Sequence, residues 1–337
     1  MRYVYFLAVC KRRLLAIVGL LLYLFDIATD FYVAYKYWEN GDTWWFGMTV
    51  TFIGVHSIIV NITSLVQHRN LWSCFASVLQ LSLVIRYIEK IYKKDNNPYS
   101  FAKLRHVETI FESAPQWCLQ TYVMLRKWHF PWHIVISIVL SFLSSAWSIT
   151  ELEIAARYED DQQVGLNLKE KVSFLVWQLF TLLSRLYAIV FFAYVFRYYV
   201  ILVLPIHWLP FILMIVIVKR NEIFDDRNGK AVAESFLMSF SSLFHSPGSF
   251  ALIDKDIRKA NMILGHIFIV IGNIVMVVLC LTEGIPKVSP SKSVEPETVP
   301  HMDVLKPIAI AFLSVGSFVS SIFIVIYCKL TNRFDSV

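Results

Sequence analysis

The stretch GLLLYLFDIATDFYVAYKYW, residues 19–38, decides how the chain folds. It is long and apolar enough to cross a bilayer as a helix of about 20 residues. Asp26 and Asp30 nevertheless stand near its middle, four residues apart, so on a helix they share one face. A charge at the bilayer centre costs about 2.5–3.5 kcal/mol. We therefore predict that these two acids face other polar groups, a cation or water rather than lipid.

The whole chain has the composition of a polytopic membrane protein. Of its 337 residues, 57% are hydrophobic and only 17% are charged, and the charges lie between long apolar stretches. The net charge of +6 does not indicate a nucleic-acid partner, because the basic residues flank apolar segments and set membrane orientation. The first apolar segment lacks a cleavage-site pattern, so we predict that it is retained as a span.

Eight stretches are long enough to cross a bilayer. They are residues 14–36, 45–66, 106–125, 131–152, 172–196, 200–218, 261–282 and 304–328. Residues 70–92 and 231–250 are poorer spans, because the first contains charged residues and the second is rich in serine, so they are predicted to be re-entrant or interfacial. The predicted fold is an all-α polytopic membrane protein with eight transmembrane helices and two re-entrant segments.

The distribution of Lys and Arg predicts the orientation. If the basic residues 11–13 are cytoplasmic and eight segments cross, 21 Lys and Arg residues fall on the inner side and 7 on the outer side. This asymmetry follows the rule that basic residues collect in cytoplasmic loops. Both termini are therefore predicted to be cytoplasmic.

The segments follow the order span, span, re-entrant segment, span, span, and this order then repeats. The pattern predicts two parallel pseudo-repeats, although it rests on segment order and length, for which chance is the alternative explanation. The predicted divisions are an N-terminal membrane repeat at 1–152, a cytoplasmic loop at 153–171, a C-terminal membrane repeat at 172–328 and a short cytoplasmic tail at 329–337.

Ionisable residues inside the predicted membrane segments are the candidate functional residues. They are Asp26, Asp30, Arg86, Glu108, Glu112 and Arg185. The two glutamates repeat the spacing of the two aspartates, and the two arginines, or Arg105 one turn before Glu108, could neutralise them. Two interpretations are open: static ion pairs that fasten the helices together, or a polar track for a hydrophilic group. Pro115 is predicted to kink the helix just after Glu112.

Other motifs for chemistry are missing from the sequence. The five cysteines have neither zinc-site spacing nor a disulfide framework. No dinucleotide-binding, phosphate-binding, zinc-protease or serine-hydrolase motif occurs. We therefore predict no metal, no cofactor and no enzymatic activity, and we interpret the histidines within spans as interhelical hydrogen-bonding groups.

Four blocks of sequence resemble the XK-related family. They are LFDIATDFYVAYKY (24–37), LRHVETIFESAPQWCLQTYVML (104–125), SSAWSITELEIAAR (144–157) and WQLFTLLSRLYAIV (177–190). The resemblance implies eight spanning helices with two membrane-inserted segments in two pseudo-symmetric halves. Several members of the family are phospholipid scramblases that expose phosphatidylserine on dying cells, and the founding member forms a complex with a lipid-transfer protein.

The resemblance implies that this protein moves phospholipids across the plasma membrane in both directions without ATP. The six ionisable residues named above would then line a path for the headgroups. The alternative is a non-catalytic membrane receptor that docks a lipid-transfer protein or another partner, and a single-pass companion subunit is a further possible partner. Cleavage-activated relatives carry a cleavage site in a terminal extension, whereas this sequence has no convincing one, so activation by cleavage is not expected.

Overall fold

The described residues are almost entirely helical. The computed structural model describes residues 2–67, 82–92, 98–160, 166–218, 220, 224, 229–246, 258–283 and 300–331, and no β-strand occurs among them. Six helical stretches are long and apolar enough to cross a membrane: Ala16–Glu39, Thr43–Ile62, Trp132–Tyr158, Leu168–Ile217, Lys259–Thr282 and Met302–Leu330. The predicted class, an all-helical multi-pass membrane protein, is confirmed.

The chain divides into two compact units, Met1–Val164 and Gly165–Val337. The described helices of the first unit are α1 (Arg2–Glu39), α2 (Thr43–Gln67), α3 (Ser82–Tyr92), α4 (Pro98–Glu108), α5 (Ala114–Lys127) and α6 (Trp132–Asp160). A π-helical turn, Thr109–Ser113, joins α4 directly to α5. The continuous α4–α5 helix packs between α2 and α6, and α6 also packs along α1. The interior of this unit is therefore formed where α1, α2 and α6 surround α4–α5.

The second unit is built around one long central helix. Its described helices are α7 (Leu168–Phe196), α8 (Val200–Val218), α9 (Lys230–Ser241), α10 (Arg258–Glu283) and α11 (Met302–Leu330), with a short 3₁₀ turn at Arg197–Tyr199 between α7 and α8. α7 packs along α10 and α11. Its start is fixed by a capping box, in which the Asn167 side chain accepts from the Glu170 N–H at 3.0 Å and the Glu170 carboxylate accepts from the Asn167 N–H at 2.8 Å.

Several element boundaries differ from those expected from the sequence. The predicted loop 153–171 is largely helical, since α6 continues to Asp160 and α7 begins at Leu168. The buried ion pair between Arg157 and Glu153, at 3.1 Å and helical spacing, explains how α6 continues past the apolar stretch. Residues 161–165 of that loop, 70–81 and 247–250 of the two re-entrant segments, and 332–337 of the tail lie outside the described residues.

Gly316 lies at a close approach of α11 to α7, and it carries a prediction. A Cβ at this position would lie 2.7 Å from Ser184 Cβ and 3.0 Å from the carbonyl oxygen of Phe180. Because backbone and Cβ atoms cannot rotate away, we expect Gly316→Ala to lower the free energy of unfolding by about 1–3 kcal/mol. Thermal unfolding of the detergent-solubilised protein measures this.

The matched control is Gly54→Ala in α2, where a Cβ would meet nothing within 4 Å. Alanine is the better helix former, so this variant is expected to be unchanged or more stable by about 0.5–1 kcal/mol. Equal midpoints for the two alanine variants would contradict the close approach of α11 to α7.

Candidate functional site

The two acids of α1 are buried against the serine-bearing face of α6. Asp26 is 2% exposed and Asp30 is fully buried. Ser141 Oγ donates to Asp26 Oδ1 at 2.5 Å, and Ser137 Oγ donates to Asp30 Oδ1 at 3.1 Å. The aspartate number rises as the serine number falls, so α1 and α6 run antiparallel here. The carboxylates therefore face polar groups of the protein and not lipid.

The glutamates lie on the α4–α5 helix, at its π-helical turn. Ser113, at the end of this turn, has its Oγ 3.4 Å from Glu108 Oε1 and 3.1 Å from Asp26 Oδ2. A π-turn brings residues five apart onto one face, and such turns are frequent at functional sites. Because a hydroxyl has a single proton to donate, Ser113 links the two acids but can satisfy only one of them at a time.

Arg105 is the buried cation of this group. It is 2% exposed, forms an ion pair with Glu108 and donates a hydrogen bond to Ser144 Oγ. Its guanidinium also lies 4.9 Å from the ring centroid of Tyr23, which is a favourable cation–π distance. This ion pair is thus enclosed among α1, α4 and α6.

Acceptors outnumber donors in the remainder of the cluster. His56 Nδ1 lies 2.8 Å from Glu112 Oε2, although the two groups do not meet in hydrogen-bond geometry. Gln120 Nε2 donates to Asp30 Oδ1 at 2.8 Å. Within the described residues, several buried oxygens have no hydrogen-bond partner: Asp30 Oδ2, both oxygens of Glu112, and the Oε1 atoms of Gln116 and Gln120. Buried polar atoms are normally paired, so these oxygens remain available as acceptors for water or for a polar ligand group.

A polar stripe on α6 connects these groups along the membrane. Ser137, Ser141, Ser144 and Ser148 are all at most 1% exposed and recur at the helical period. The buried pair of Glu153 and Arg157 lies further along α6 but on its opposite face. From Ser137 to Ser148 the helix rises about 16 Å, which is about half the thickness of the hydrocarbon core. The buried polar cluster, meaning Asp26, Asp30, His56, Arg105, Glu108, Glu112 and these serines, thus extends over about half of the membrane.

An apolar plug closes one end of the buried polar cluster. It consists of Val33, Tyr37, Leu119, Val123 and Ile134. On α1, Asp30 of the cluster is followed by Val33 and Tyr37 of the plug, about one and two turns further along the helix. Leu119 and Val123 likewise follow Glu112 on the α4–α5 helix, and Ile134 precedes Ser137 on the antiparallel α6. The plug therefore separates the cluster from the ends of these helices.

A cleft of about 80 Å³ lies beyond the plug, between the ends of α1 and α5 and the start of α6. Its lining includes Lys36, Tyr37, Asp42, Lys127, His129 and His133. The candidate spans Ala16–Glu39 and Trp132–Tyr158 respectively end and begin here, so the cleft lies at one membrane boundary. We call it the boundary cleft.

The six residues selected from the sequence fall into three places. Asp26, Asp30, Glu108 and Glu112 come together in the buried polar cluster. Arg86 lies on α3, with Nη1 3.8 Å from Glu89 Oε2 and its side chain 20% exposed. Arg185 belongs to the second unit, where its Nε donates to the carbonyl of Leu243 at 2.6 Å and its Nη1 donates to Asn273 Oδ1 at 3.1 Å. Pro115 lies in the first turn of α5, two residues after the π-turn ends, and the helix continues through it.

The cluster can hold a polar group by hydrogen bonding, and its charges make it selective. Its carboxylates accept protons or the donors of a cationic group, and Arg105 attracts an anion. Within the described part of the chain, no three His, Cys, Asp or Glu side chains meet in an arrangement that could hold a metal ion. The carboxylates, the Arg105 guanidinium and the serine hydroxyls of the cluster are groups that can hydrogen-bond a polar group within the membrane.

Comparison with known proteins assigns the family. The model of the XK-related protein family matches residues 14–332, nearly the whole chain. The chain belongs to the XK-related family. This confirms the resemblance carried by the four sequence blocks, of which the second contains the π-turn and both glutamates of the cluster.

Three similar proteins are each named XK-related protein 8. The protein from Tetraodon nigroviridis is 27% identical over 231 residues, covering 58% of this chain and 57% of that protein. The protein from Pan troglodytes is 24% identical over 237 residues (62% and 60%), and that from Gasterosteus aculeatus is 24% identical over 210 residues (52% and 52%). The chain thus matches little more than half the length of these relatives.

Part of the cluster is not predicted from the sequence. Ser113, Ser137, Ser141 and Ser144 donate to or accept from its charged groups. The three serines of α6 do recur at intervals of four and three residues, a helical period that could have pointed to them. Arg105 is noted in the sequence as a possible partner of Glu108, but its burial depends on the helices packed around it.

Proposed function

We propose that this protein is a phospholipid scramblase, which moves phospholipids, including phosphatidylserine, between the two leaflets of the plasma membrane in both directions without ATP. No covalent bond is made or broken in such movement, so the proposal requires neither enzymatic activity nor a cofactor. Exposure of phosphatidylserine on dying cells is the setting that the family resemblance favours.

The observation that carries the proposal is the buried polar cluster inside candidate membrane spans. A phospholipid headgroup moving through hydrocarbon meets a desolvation barrier like that of a buried charge. Carboxylates, Arg105 and a series of hydroxyls can replace the hydration of a zwitterionic or anionic headgroup while the acyl chains stay in lipid. The oxygens of Asp30 and Glu112 that lack partners supply acceptors for the cationic part of a headgroup.

The arrangement described above corresponds to a closed state in this proposal. The cluster residues are at most 3% exposed, and the ion pair of Arg105 with Glu108 fastens the α4–α5 helix internally. Lipid movement then requires that α6 separate from α1 or α4, which exposes the serine stripe. In this proposal the ion pair belongs to the closed state, and the polar track forms from the same groups when the helices separate.

We further propose eight crossings, with both termini in the cytoplasm. The stretch Leu168–Ile217 has 50 residues and as one helix would be about 75 Å long, more than twice the hydrocarbon thickness. The break at Arg197, where φ is 54°, supports counting α7 and α8 separately. The α4–α5 helix is too polar for a hydropathy criterion, but residues 101–110 are all buried, which supports counting it as the eighth crossing.

The same reasoning supports two segments that enter the membrane without crossing it. The described helices within them, Ser82–Tyr92 and Lys230–Ser241, have 11 and 12 residues. Their lengths, about 17–18 Å, are less than the thickness of the hydrocarbon core.

A fluorescent-lipid assay tests the proposed function. Purified protein is reconstituted into liposomes that contain a dye-labelled phospholipid, and a membrane-impermeant reductant then bleaches the dye of the outer leaflet. We expect bleaching to proceed beyond the outer-leaflet half, because labelled lipid from the inner leaflet reaches the reductant. Protein-free liposomes from the same lipid are the control. Bleaching that stops at one half, both before and after limited proteolysis of the protein, would reject the proposal.

A further inference from the structure

The boundary cleft combines several groups that recognise a phosphate. Its lining includes two residues with ammonium groups, Lys36 and Lys127, and two residues with imidazoles, His129 and His133. The start of α6, a helix of 29 residues, also faces the cleft. Helix N-termini present backbone N–H groups and the positive end of the helix dipole, which favour phosphate and other anions.

The floor of the cleft supplies an unused donor. Tyr37 lines the cleft and is 3% exposed, and among the described residues its hydroxyl has no hydrogen-bond partner. A buried hydroxyl without a partner is costly. A ligand with acceptor oxygens would satisfy it.

Asp42 occupies the place that a ligand anion would take. Its carboxylate pairs with the ammonium group of Lys127, and Lys36 pairs with Glu39 at 2.5 Å. Both pairs are at least partly exposed, so each is weakly held. A phosphate that competes with Asp42 for Lys127 would bind without rearrangement of the helices.

We propose that the boundary cleft binds the phosphate of a phospholipid headgroup. The cleft lies at a membrane boundary, beside the exposed aromatic side chains Trp38 and Trp132, which suit the headgroup level. Tyr37, Val123 and Ile134 of the apolar plug line the cleft, so the plug borders it on the side of the buried polar cluster. The assignment of a lipid rests on the proposed function, since the cleft would be the entrance of the headgroup path.

Binding is measured by calorimetry with the full chain in a phosphate-free sugar detergent. The probes are dihexanoylphosphatidylserine, glycerophosphoserine, inorganic phosphate and dihexanoylglycerol. We expect the phosphatidylserine to bind, inorganic phosphate to compete at much higher concentration, and dihexanoylglycerol not to bind. The double variant Lys36→Gln/Lys127→Gln should bind at least about tenfold more weakly, because two charge-assisted contacts are lost.

Two further variants test the geometry. Tyr37→Phe keeps the ring and removes only the hydroxyl, so binding should weaken by about threefold to tenfold. Asp42→Asn removes the competing carboxylate and should tighten binding. Lys169→Gln, at an exposed lysine of the second unit, is the matched control and should leave affinity unchanged.

Each result decides the proposal. It is overturned if wild type does not bind the short-chain lipid, if the lysine variant and Tyr37→Phe both bind like wild type, or if Asp42→Asn weakens binding. Inorganic phosphate binding as tightly as the lipid would identify a free-phosphate site instead. Binding without lipid movement in liposomes rejects the scramblase function alone, whereas lipid movement without binding rejects the cleft alone.

Discussion

Replacing Arg105 with glutamine is expected to lower the free energy of unfolding by about 3–5 kcal/mol, because it leaves the carboxylate of Glu108 buried without its cation. Both side chains are at most 2% exposed, so water cannot compensate for the missing charge. Arg105→Gln also removes the hydrogen bond to Ser144 and the contact with the Tyr23 ring. The measurement is the thermal unfolding midpoint of the detergent-solubilised protein together with its yield from membranes.

Two comparisons separate this effect from general damage. The double variant Arg105→Gln/Glu108→Gln removes both charges and should recover most of the lost stability. Arg86→Gln removes the arginine of a second pair with the same three-residue spacing, but that pair is partly exposed and 3.8 Å apart. An exposed pair contributes about 0–1 kcal/mol, so its variant should unfold close to wild type. Similar losses of stability in Arg105→Gln and Arg86→Gln would show that burial of the Arg105–Glu108 pair does not determine its contribution to stability.

Replacing both aspartates of α1 with asparagine is expected to slow lipid movement at least about tenfold, since each tenfold change needs only about 1.4 kcal/mol of barrier. The double variant Asp26→Asn/Asp30→Asn keeps the size of both side chains and an amide oxygen at each position to accept from Ser141 and Ser137. Stability should therefore hold or rise, because two buried acids are removed. The dye-bleaching rate in liposomes and the unfolding midpoint are measured on the same preparations.

This combination of results distinguishes a headgroup path from a static fastening. If the acids only fasten helices, the bleaching rate should fall only if the unfolding midpoint falls as well. Asp303→Asn, at an exposed acid in the first turn of α11, serves as the control and should leave both quantities unchanged. Normal lipid movement in Asp26→Asn/Asp30→Asn would exclude these carboxylates from the path.

The sequence predicts the faces of single helices well but not the neighbours that those faces meet. The spacing of Asp26 and Asp30 places both on one face, and the structure buries that face. Which basic group lies near the acids depends on tertiary packing, so spacing alone could not choose among Arg86, Arg105 and Arg185. The structure pairs Arg105 with Glu108 and gives Arg185 its hydrogen bonds within the second unit.

Hydropathy has a similar limit for the number of spans. It finds apolar segments but cannot detect that the charges of residues 101–112 are shielded by surrounding helices. Nor does composition reveal the π-turn at Thr109–Ser113, which depends on how the helix accommodates Pro115 and on the polar contacts of Ser113. The serines of α6 carry little signal individually, because serine is common in helices that pack within membranes.

The apolar plug has a consequence for electrical insulation. Of the five plug side chains only Tyr37 has a hydrogen-bonding group, a single hydroxyl, so a hydrated ion would have to shed most of its water to pass between the boundary cleft and the buried polar cluster. A phospholipid keeps its acyl chains in the hydrocarbon of the bilayer, and only its headgroup meets the plug. If the protein moves lipid as proposed, the membrane would thus retain its voltage and ion gradients during lipid exchange, and planar bilayers containing the protein should conduct no more current than bare ones.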